Sequence, residues 1–255
     1  MITSAQNQKI KDTAALHSKS RERRRQNKFT IEGLREINLA VANGYIIETL
    51  FVCEDFARVD LPQAQQIIDV SQEVFAKLAL RENSDGVFAV ANTKTQILAQ
   101  LRLSENPFII VLESVEKPGN LGAILRTADA ANADAVIVCD ELCDIYNPNV
   151  IRSSIGCLFT QQIIACTSAQ CCEFLKSRQI AIYAAELKAA EFYHHADMTK
   201  PCAIVMGTEA DGLSDFWINN ADARIKIPMR GAIDSLNVSV STAIITFEAM
   251  RQRGF

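Results

Sequence analysis

Short apolar runs recur through residues 107–255, and stretches of helical composition separate most of them. The runs read FIIVLESV, AVIVCD, QQIIAC, AIYAAEL, AIVMGT and ARIKIP. Strands that are buried on both faces of a parallel sheet have such nearly continuous apolar sequences. Because strands that alternate with helices build doubly wound α/β domains, we predict such a domain here, with a mostly parallel sheet and a last helix in STAIITFEAMRQRGF.

The first hundred residues predict a smaller α/β unit. We expect its strands at KFTIEG, IETLFVC and GVFAVAN, and its helices at residues 4–20, LREINLAVANG, residues 62–69 and residues 73–80. Residues 93–106 have a polar, helical composition until the turn sequence SENP interrupts it. We therefore predict a small domain over residues 1–98, a linker over residues 99–106 and the larger domain over residues 107–255.

The composition favours a globular protein without a membrane span. Hydrophobic residues make up 49% of the 255 residues, no run reaches about 18 apolar residues, and the N-terminus lacks the apolar core of a signal peptide. The eight cysteines include no CxxC pair, so we expect buried, reduced thiols and a cytoplasmic location. A zinc site of His194, His195 and a cysteine is the alternative, but the spacing matches no familiar zinc pattern, and we expect no metal site.

The charge is distributed unevenly along the chain. The net charge is −4, yet residues 1–35 contain nine Lys or Arg and three acidic residues, which leaves −10 for the remainder. A basic segment on an acidic body is typical of proteins with an anionic partner. Arg23, Arg24 and Arg25 lie in the middle of this segment, and we expect them to contact RNA phosphates, although a solvated helix face is the simpler interpretation for any one of them.

Three loops follow predicted strands of the larger domain, where ligands bind in parallel sheets. The first, KPGNLGAILR, contains neither GxGxxG nor GxxxxGK[ST], so it is either a strand-to-helix turn capped by Asn120 or a site that uses Arg126. The second, TEADGLSD, places Glu209 directly after a strand, as a catalytic acid or as a cap. The third, RGAIDSLNVSVSTAII, alternates like a strand before it turns helical.

Taken together and in this order, the three loops resemble the motifs of the SpoU-type (SPOUT superfamily) RNA 2′-O-ribose methyltransferases. NLGAILRTADAANADAVIV resembles the first motif, IVMGTEADGLS the second and IKIPMRGAIDSLNVSVSTAI the third, while YNPNVIRSSIGCLF fits the pattern between them. NKFTIEGLREINLAVANG is similar to the small substrate-binding domain that often precedes this catalytic domain. NSDGVFAVA is a looser match, with Asp85 where the family usually has proline.

The resemblance implies a C-terminal trefoil knot, S-adenosyl-L-methionine as the cofactor, a homodimer, and methylation of a ribose 2′-hydroxyl, in ribosomal RNA rather than transfer RNA. It implies catalytic roles for Asn120, Arg126, Glu209, Ser235 and Asn237, and cofactor contacts by Gly207, Ile227, Met229, Leu236 and Asn237. The family assigns the central role to Arg126, as a general base or as a cation that binds phosphate and stabilises the developing alkoxide. We favour the cation, because a guanidinium group stays protonated in proteins.

Two interpretations remain open at this point. Arg152 either contacts an RNA phosphate or forms a structural ion pair. The chain as a whole is either this methyltransferase or a non-catalytic RNA-binding or ribosome-assembly protein on the same fold. A dehydrogenase-like enzyme is disfavoured because the chain lacks a nucleotide fingerprint.

Overall fold

The structure is a computed structural model of the chain, and it describes residues 1–53, 55, 60–79, 84–208 and 211–255. Two compact units divide it, the first with residues 1–95 and 144–160 and the second with residues 96–143 and 161–255. Residues 144–160 thus pack with the N-terminal unit, although a cut at one linker would place them with the rest of the C-terminal half. Among the described residues, no helix is both long and apolar enough to cross a membrane.

The first unit is built on a four-stranded sheet within the described residues. Its elements before residue 96 are α1 (Gln8–Ser18), α2 (Ser20–Gln26), β1 (Lys28–Glu32), α3 (Leu34–Ala42), β2 (Ile47–Cys53), β3 (Gln66–Val70), α4 (Gln72–Leu78) and β4 (Val87–Asn92). The strand order is β1-β4-β2-β3, antiparallel except for the parallel pair of β2 and β3. Ile10, Phe51, Val74 and Phe88 are buried in the core between the sheet and helices α1 and α4.

In this half one predicted helix is wrong, a second is confirmed with shorter bounds, and a stretch of helical composition is mostly not helical. The helix expected at residues 62–69 contains strand β3 instead, because Leu50 to Cys53 of β2 pair with Ile67 to Val70 and this pairing overrides the local helical composition. The helix expected at residues 4–20 is confirmed as α1, which ends at Ser18 because Lys19 has an extended backbone before α2 begins. Residues 93–106 contain only a short 3₁₀ turn at Leu98–Gln100.

The remaining elements include the whole second unit. They are β5 (Phe108–Glu113), α5 (Pro118–Ala130), β6 (Ala135–Cys139), α6 (Pro148–Ser153), α7 (Cys157–Thr160), β7 (Ile163–Cys166), α8 (Ser168–Ser177), β8 (Ala181–Ala185), β9 (Glu191–Phe192), β10 (Cys202–Met206), α9 (Asp215–Asn220), β11 (Ala223–Lys226) and α10 (Val238–Arg253), with a 3₁₀ turn at Tyr193–His195. Helices α6 and α7 belong to the first unit. The strands predicted from the apolar runs are confirmed.

The second unit has a seven-stranded sheet in the part of the chain that is described, in the order β7-β6-β5-β10-β8-β11-β9. The six pairs of neighbouring strands in it are all parallel, which confirms the predicted α/β class. One face of the sheet packs on α8 and α9 through a core that includes Ile109, Ile137, Leu175, Val205 and Trp217. The carboxyl ends of all these strands consequently lie at one edge, while the predicted knot stays a prediction.

Candidate active site

A cavity of about 620 Å³ lies at the carboxyl ends of strands β8, β10 and β11. Its walls come from the segments that follow these strands and from the start of α10. Gly207, Ile227, Met229, Ser235 and Leu236, which the sequence selected, all line it. The second and third motif segments, separate in the chain, therefore share one concave site at the sheet edge where parallel sheets bind ligands.

Gly207 allows an unusually close approach of two backbone segments. A Cβ atom built at this position would lie 2.2 Å from both the carbonyl carbon and oxygen of Gly212 and 2.5 Å from the nitrogen of Leu213. Thr208 and Gly212 exchange backbone hydrogen bonds of 3.0 and 3.2 Å, which close the loop, and Gly212 has φ +71°. Gly207 is required because a side chain would not fit there, and Gly212 is favoured because its backbone is in the left-handed region.

Glu113 supports this loop, and the sequence analysis did not identify it. It ends β5, its residue surface is 7% exposed, and its carboxylate accepts hydrogen bonds from the Ser214 hydroxyl at 2.5 Å and the Ser214 backbone N–H at 2.8 Å. Ser214 is the N-cap of α9, so Glu113 also holds the start of that helix. The available signal was a carboxylate inside a buried apolar run, since such a group needs hydrogen-bond donors.

The first and third motif segments meet through two asparagines. The Asn237 side-chain amide donates to Oδ1 of Asn120 at 3.1 Å, and Oδ1 of Asn237 accepts from the Ser239 backbone N–H at 3.0 Å as the N-cap of α10. The expectation that Asn120 caps α5 is wrong. Lys117 is the N-cap, and Pro118 begins the helix, because proline is well suited to a first helical position.

Arg126 lies on the exposed side of α5. The opposite side buries Leu121, Ile124, Leu125 and Ala128, which is the amphipathic pattern that the spacing predicted. No described residue forms an ion pair or a hydrogen bond with its guanidinium group. Glu209, the acid of the second motif, lies outside the described residues.

The three consecutive arginines of α2 differ from one another. Arg23 is 3% exposed, and its guanidinium group pairs with Asp144 at 2.6 Å and donates to the backbone oxygens of Leu16 and His17 at 2.8 and 3.2 Å. Arg24 and Arg25 are exposed, and Arg25 also bonds to Glu22 at 2.7 Å. Arg23 is thus an internal brace of the first unit.

Arg152, in α6 of the same unit, is exposed. No described acidic residue forms an ion pair with its side chain.

The walls of the cavity carry charges of both signs. Glu186, Asp211, Asp215 and Asp234 provide carboxylates, and Lys188 and Lys226 provide cations, beside the apolar side chains of the lining. Such a lining suits a ligand that has both apolar surface and positive charge.

His194 and His195 line a neighbouring cavity of about 780 Å³. Their rings lie 4.3 Å apart. Among the described residues, the only group of three potential metal ligands is made of cysteines, so the alternative zinc site at these histidines finds no third ligand there.

Sequence profiles of two known families match separate parts of the chain. The SpoU rRNA Methylase family matches residues 107–247, and the MRM3-like substrate binding domain matches residues 7–89. The first match contains each of the residues selected for catalysis and cofactor binding, and the second contains α2.

Similar proteins span nearly the whole chain. The 23S rRNA (guanosine(2553)-2′-O)-methyltransferase RlmP of Bacillus subtilis is 30% identical over 96% of this chain and 97% of its own. A crystal structure of an RNA 2′-O ribose methyltransferase is 38% identical, with a TM-score of 0.85 over 99% of this chain and 98% of that chain. The SpoU methyltransferase AviRb from Streptomyces viridochromogenes, in complex with AdoMet, is 26% identical, with a TM-score of 0.89 over 97% and 98%.

Proposed function

The chain belongs to the SpoU rRNA methylase family, and on this premise we propose that it methylates a ribose 2′-hydroxyl of 23S ribosomal RNA. It is an S-adenosyl-L-methionine-dependent RNA 2′-O-methyltransferase, since similar proteins along its whole length bear that activity in their names and neighbouring structures contain the cofactor. The observation that carries the proposal is the cavity at the ends of β8, β10 and β11, where the second and third motif segments meet.

The residues of this cavity fit S-adenosylmethionine. Its volume of about 620 Å³ lies within the range of roughly 300–1,000 Å³ that small-molecule sites occupy. Ile227, Met229 and Leu236 offer apolar walls for the adenosine, and the loop at Gly207 is too tight for a Cβ atom, so backbone polar groups can approach the ligand. The carboxylates of Asp211 and Asp234 complement the net positive charge of the cofactor.

Arg126 is the residue that we assign to the reaction itself. The bound cofactor supplies an electrophilic methyl group on a sulfonium, so the protein has to align the ribose hydroxyl and ease the loss of its proton. A guanidinium group stays protonated, so Arg126 binds the phosphate next to the target ribose and stabilises the negative charge that grows on the 2′-oxygen. The proton passes to that phosphate or to water.

The asparagines and Ser235 place the reacting groups. The Asn120–Asn237 hydrogen bond joins α5, which carries Arg126, to the segment before α10 that also contributes Ser235 to the cavity wall. These residues therefore orient Arg126, the ribose and the methionine part of the cofactor relative to one another. Glu209, outside the described residues, belongs to the same proposal through its position in the second motif.

The first unit carries the proposed RNA-binding surface. Arg24, Arg25 and Arg152 are exposed there, and phosphate contacts add over several arginines. Arg23 is left out of this surface, because its charge is used by Asp144 inside the unit. The division of labour, with RNA binding in residues 1–98 together with Arg152 and catalysis in the remainder of residues 107–255, is part of this proposal.

We propose that the chain forms a homodimer and is located in the cytoplasm. Exposed apolar side chains on α10 and at the chain end, Val240, Phe247 and Phe255, offer surface for a second copy. Sedimentation velocity over a range of concentrations checks the dimer, and a species that stays monomeric would contradict it.

The test of the function is a map of 2′-O-methyl positions in 23S rRNA. Cells that lack the gene should lose methylation at one position and regain it with the wild-type gene but not with Arg126→Ala. Calorimetry with S-adenosylmethionine on the purified wild-type chain belongs beside it. An unchanged methylation map together with no cofactor binding would favour the non-catalytic RNA-binding alternative.

A further inference from the structure

Three cysteines from separate elements of the second unit come together below the sheet edge. Cys139 is the last residue of β6, Cys166 is the last residue of β7, and Cys171 lies in the first turns of α8. Their sulfur atoms all lie within 4.8 Å of one another. None of the three lines the proposed cofactor cavity, so the cluster is a separate feature of the fold.

The parallel ladder explains why these thiols meet. Cys139 and Cys166 are register partners in adjacent strands, and register partners in a sheet point to the same face. Helix α8 starts at Ser168, fixed by a capping box between Thr167 and Gln170, and it packs on that face. Cys171 then follows one turn later and projects toward the strand ends.

The polar groups around the cluster are tied down. Asp140 accepts a hydrogen bond from the Ser168 hydroxyl at 2.5 Å, and that hydroxyl oxygen accepts one from the Trp217 indole N–H at 2.9 Å. Trp217 is fully buried, so this series of hydrogen bonds holds the start of α8 against β6 and α9. The three thiols therefore sit in a preorganised frame, which is what selective metal binding needs.

The three thiols differ in their exposure to solvent. Cys139 and Cys171 are fully buried, whereas Cys166 is half-buried and gives the cluster a side open to solvent. Soft thiolate ligands select copper(I) and zinc over harder cations such as Mg²⁺.

We propose that Cys139, Cys166 and Cys171 form a binding site for one thiophilic metal ion, zinc(II) or copper(I). With metal–sulfur bonds of about 2.3 Å, tetrahedral geometry places the sulfur atoms about 3.8 Å apart, which small side-chain rotations reach from the observed separations. Each thiol that binds forms a metal–sulfur bond, breaks its S–H bond and releases the proton to water. Zinc would complete its coordination with water at the solvent side of Cys166, and copper(I) needs only the three sulfurs.

The sequence analysis did not single out these three cysteines, and their spacing along the chain follows no familiar pattern of metal ligands. Twenty-six residues separate the first two and four separate the last two, unlike the short CxxC pairs of zinc modules. The ligands are neighbours only because β6 and β7 lie side by side, which the primary structure does not display.

The experiment titrates the reduced, metal-free full-length chain under anaerobic conditions. Zinc(II) is added in competition with a chromophoric chelator, and copper(I) in a separate arm with a copper(I)-specific indicator. Cys166→Ser and Cys171→Ser are compared with wild type. Cys172→Ser is the matched control, because Cys172 follows Cys171 on the same helix and is buried in the same core, but does not belong to the group of three thiols. Circular dichroism verifies the fold of each variant.

Wild type and Cys172→Ser should bind one equivalent of zinc or copper, and their Tm should rise with metal concentration, as expected for a ligand of the native state. Cys166→Ser should bind more than about tenfold more weakly, since loss of a supporting partner alone costs roughly 10–100-fold in affinity. The arm that shows the tighter binding identifies the metal. Failure of both metals to bind wild type at one equivalent, or equal binding by a folded Cys166→Ser variant, would overturn the proposal.

Discussion

The side-chain amide of Asn237 donates a hydrogen bond of 3.1 Å to the side-chain oxygen of Asn120, which lies 117 residues earlier in the chain. Helices α5 and α10 pack against each other at this point, and the bond fixes the start of one to the start of the other. Since Arg126 projects from α5, the geometry of that arginine depends on a residue in the third motif. Asn237 also caps α10 through its other side-chain atom, so two roles can be separated by mutation.

Asn237→Asp should lower turnover without unfolding the protein. The carboxylate keeps the oxygen that caps α10 but loses the amide donor to Asn120, and one such hydrogen bond is worth about 0.5–1.5 kcal/mol. That corresponds to a roughly two- to tenfold fall in kcat. Asn237→Ala should show the same fall in kcat. It should also lower the free energy of unfolding by about 1 kcal/mol, because it removes the N-cap of α10. Methyl-transfer kinetics and urea unfolding measure the two effects, and equal turnover of Asn237→Asp and wild type would contradict the positioning role.

Gly207→Ala should abolish or strongly weaken cofactor binding. The added methyl group would lie 2.2 Å from the Gly212 carbonyl, so the backbone at Gly212, which lines the cavity, has to shift. We expect at least about a tenfold loss of affinity, or 1.4 kcal/mol, measured by calorimetry with S-adenosylmethionine. Gly119→Ala is the matched control, since a Cβ atom there meets nothing within 4 Å. If both variants bind the cofactor like wild type, the loop does not form the site.

The strands and the three loops could be predicted from the sequence because their signals are local. An apolar run such as FIIVLE needs no partner to be recognised as a buried strand, and the loops after such runs fall at one sheet edge by the rules of parallel topology. The cavity then gathers Gly207, Ile227 and Leu236 from two of these loops. Their contacts with the cofactor stay a prediction, but their convergence is a property of the fold.

Several of the features that escaped prediction depend on distant partners. Strand β3 is only five residues long, and its pairing with β2 decides that Gln66–Val70 is a strand although the residues just before it have a helical composition. Arg23 is buried against Asp144, which lies 121 residues away in the chain, and the run of three arginines does not reveal this partner. The role of Glu113 becomes visible only when Ser214 is placed beside it, 101 residues later. Long-range hydrogen bonds and ion pairs leave no periodic trace in the primary structure.

Arg126→Ala should abolish methyl transfer while cofactor affinity stays within a few-fold of wild type. Arg126 is exposed on α5 and does not line the cavity described for the cofactor, so its loss should act on the reaction and not on cofactor binding. Arg126→Lys should also be poor, because lysine keeps the charge without the planar fork that holds phosphate. Radiolabel transfer to 23S rRNA and calorimetry test this, with Arg178→Ala as an exposed arginine control. Near-normal turnover of Arg126→Ala would exclude both the base and the phosphate-binding role.

Acidification should destabilise the first unit through His17. Burial, and secondarily the nearby Arg23 charge, lower the pKa of His17 from 6.5 to about 4. Its Nδ1 lies 2.9 Å from the Thr30 hydroxyl, and its Nε2 is buried without a hydrogen-bond partner in the described residues.

The unfolded chain therefore binds more protons than the folded one between these two pKa values, and stability falls as the pH drops from about 6.5 toward 4. Urea unfolding at a series of pH values should show a smaller loss over this range for His17→Gln than for wild type. Parallel pH profiles of the two proteins would show that His17 does not titrate in this way.

The arginines of α2 should divide into two functional classes. Arg24→Ala with Arg25→Ala removes two exposed charges, and each lost phosphate contact flattens the slope of log affinity against log salt by roughly 0.7–0.9. The double variant should thus bind RNA more weakly at low salt, with a slope smaller by about 1.4–1.8 if both touch phosphates. Its turnover at saturating RNA should be nearly normal, because such contacts are equal in the ground and transition states. Lys77→Ala, on α4 of the same unit, is the control.

Arg23→Ala should instead destabilise the protein. It leaves the Asp144 carboxylate, whose side chain is 9% exposed, without its cation, and breaking a buried ion pair on one side costs about 3–5 kcal/mol. Thermal and urea unfolding should show this loss for Arg23→Ala and only a small change for the Arg24 and Arg25 variant. A salt titration of RNA binding measures the slope of log affinity against log salt for both variants. If Arg23→Ala kept its stability and flattened the salt slope, Arg23 would contact RNA and the ion pair would contribute little to the fold.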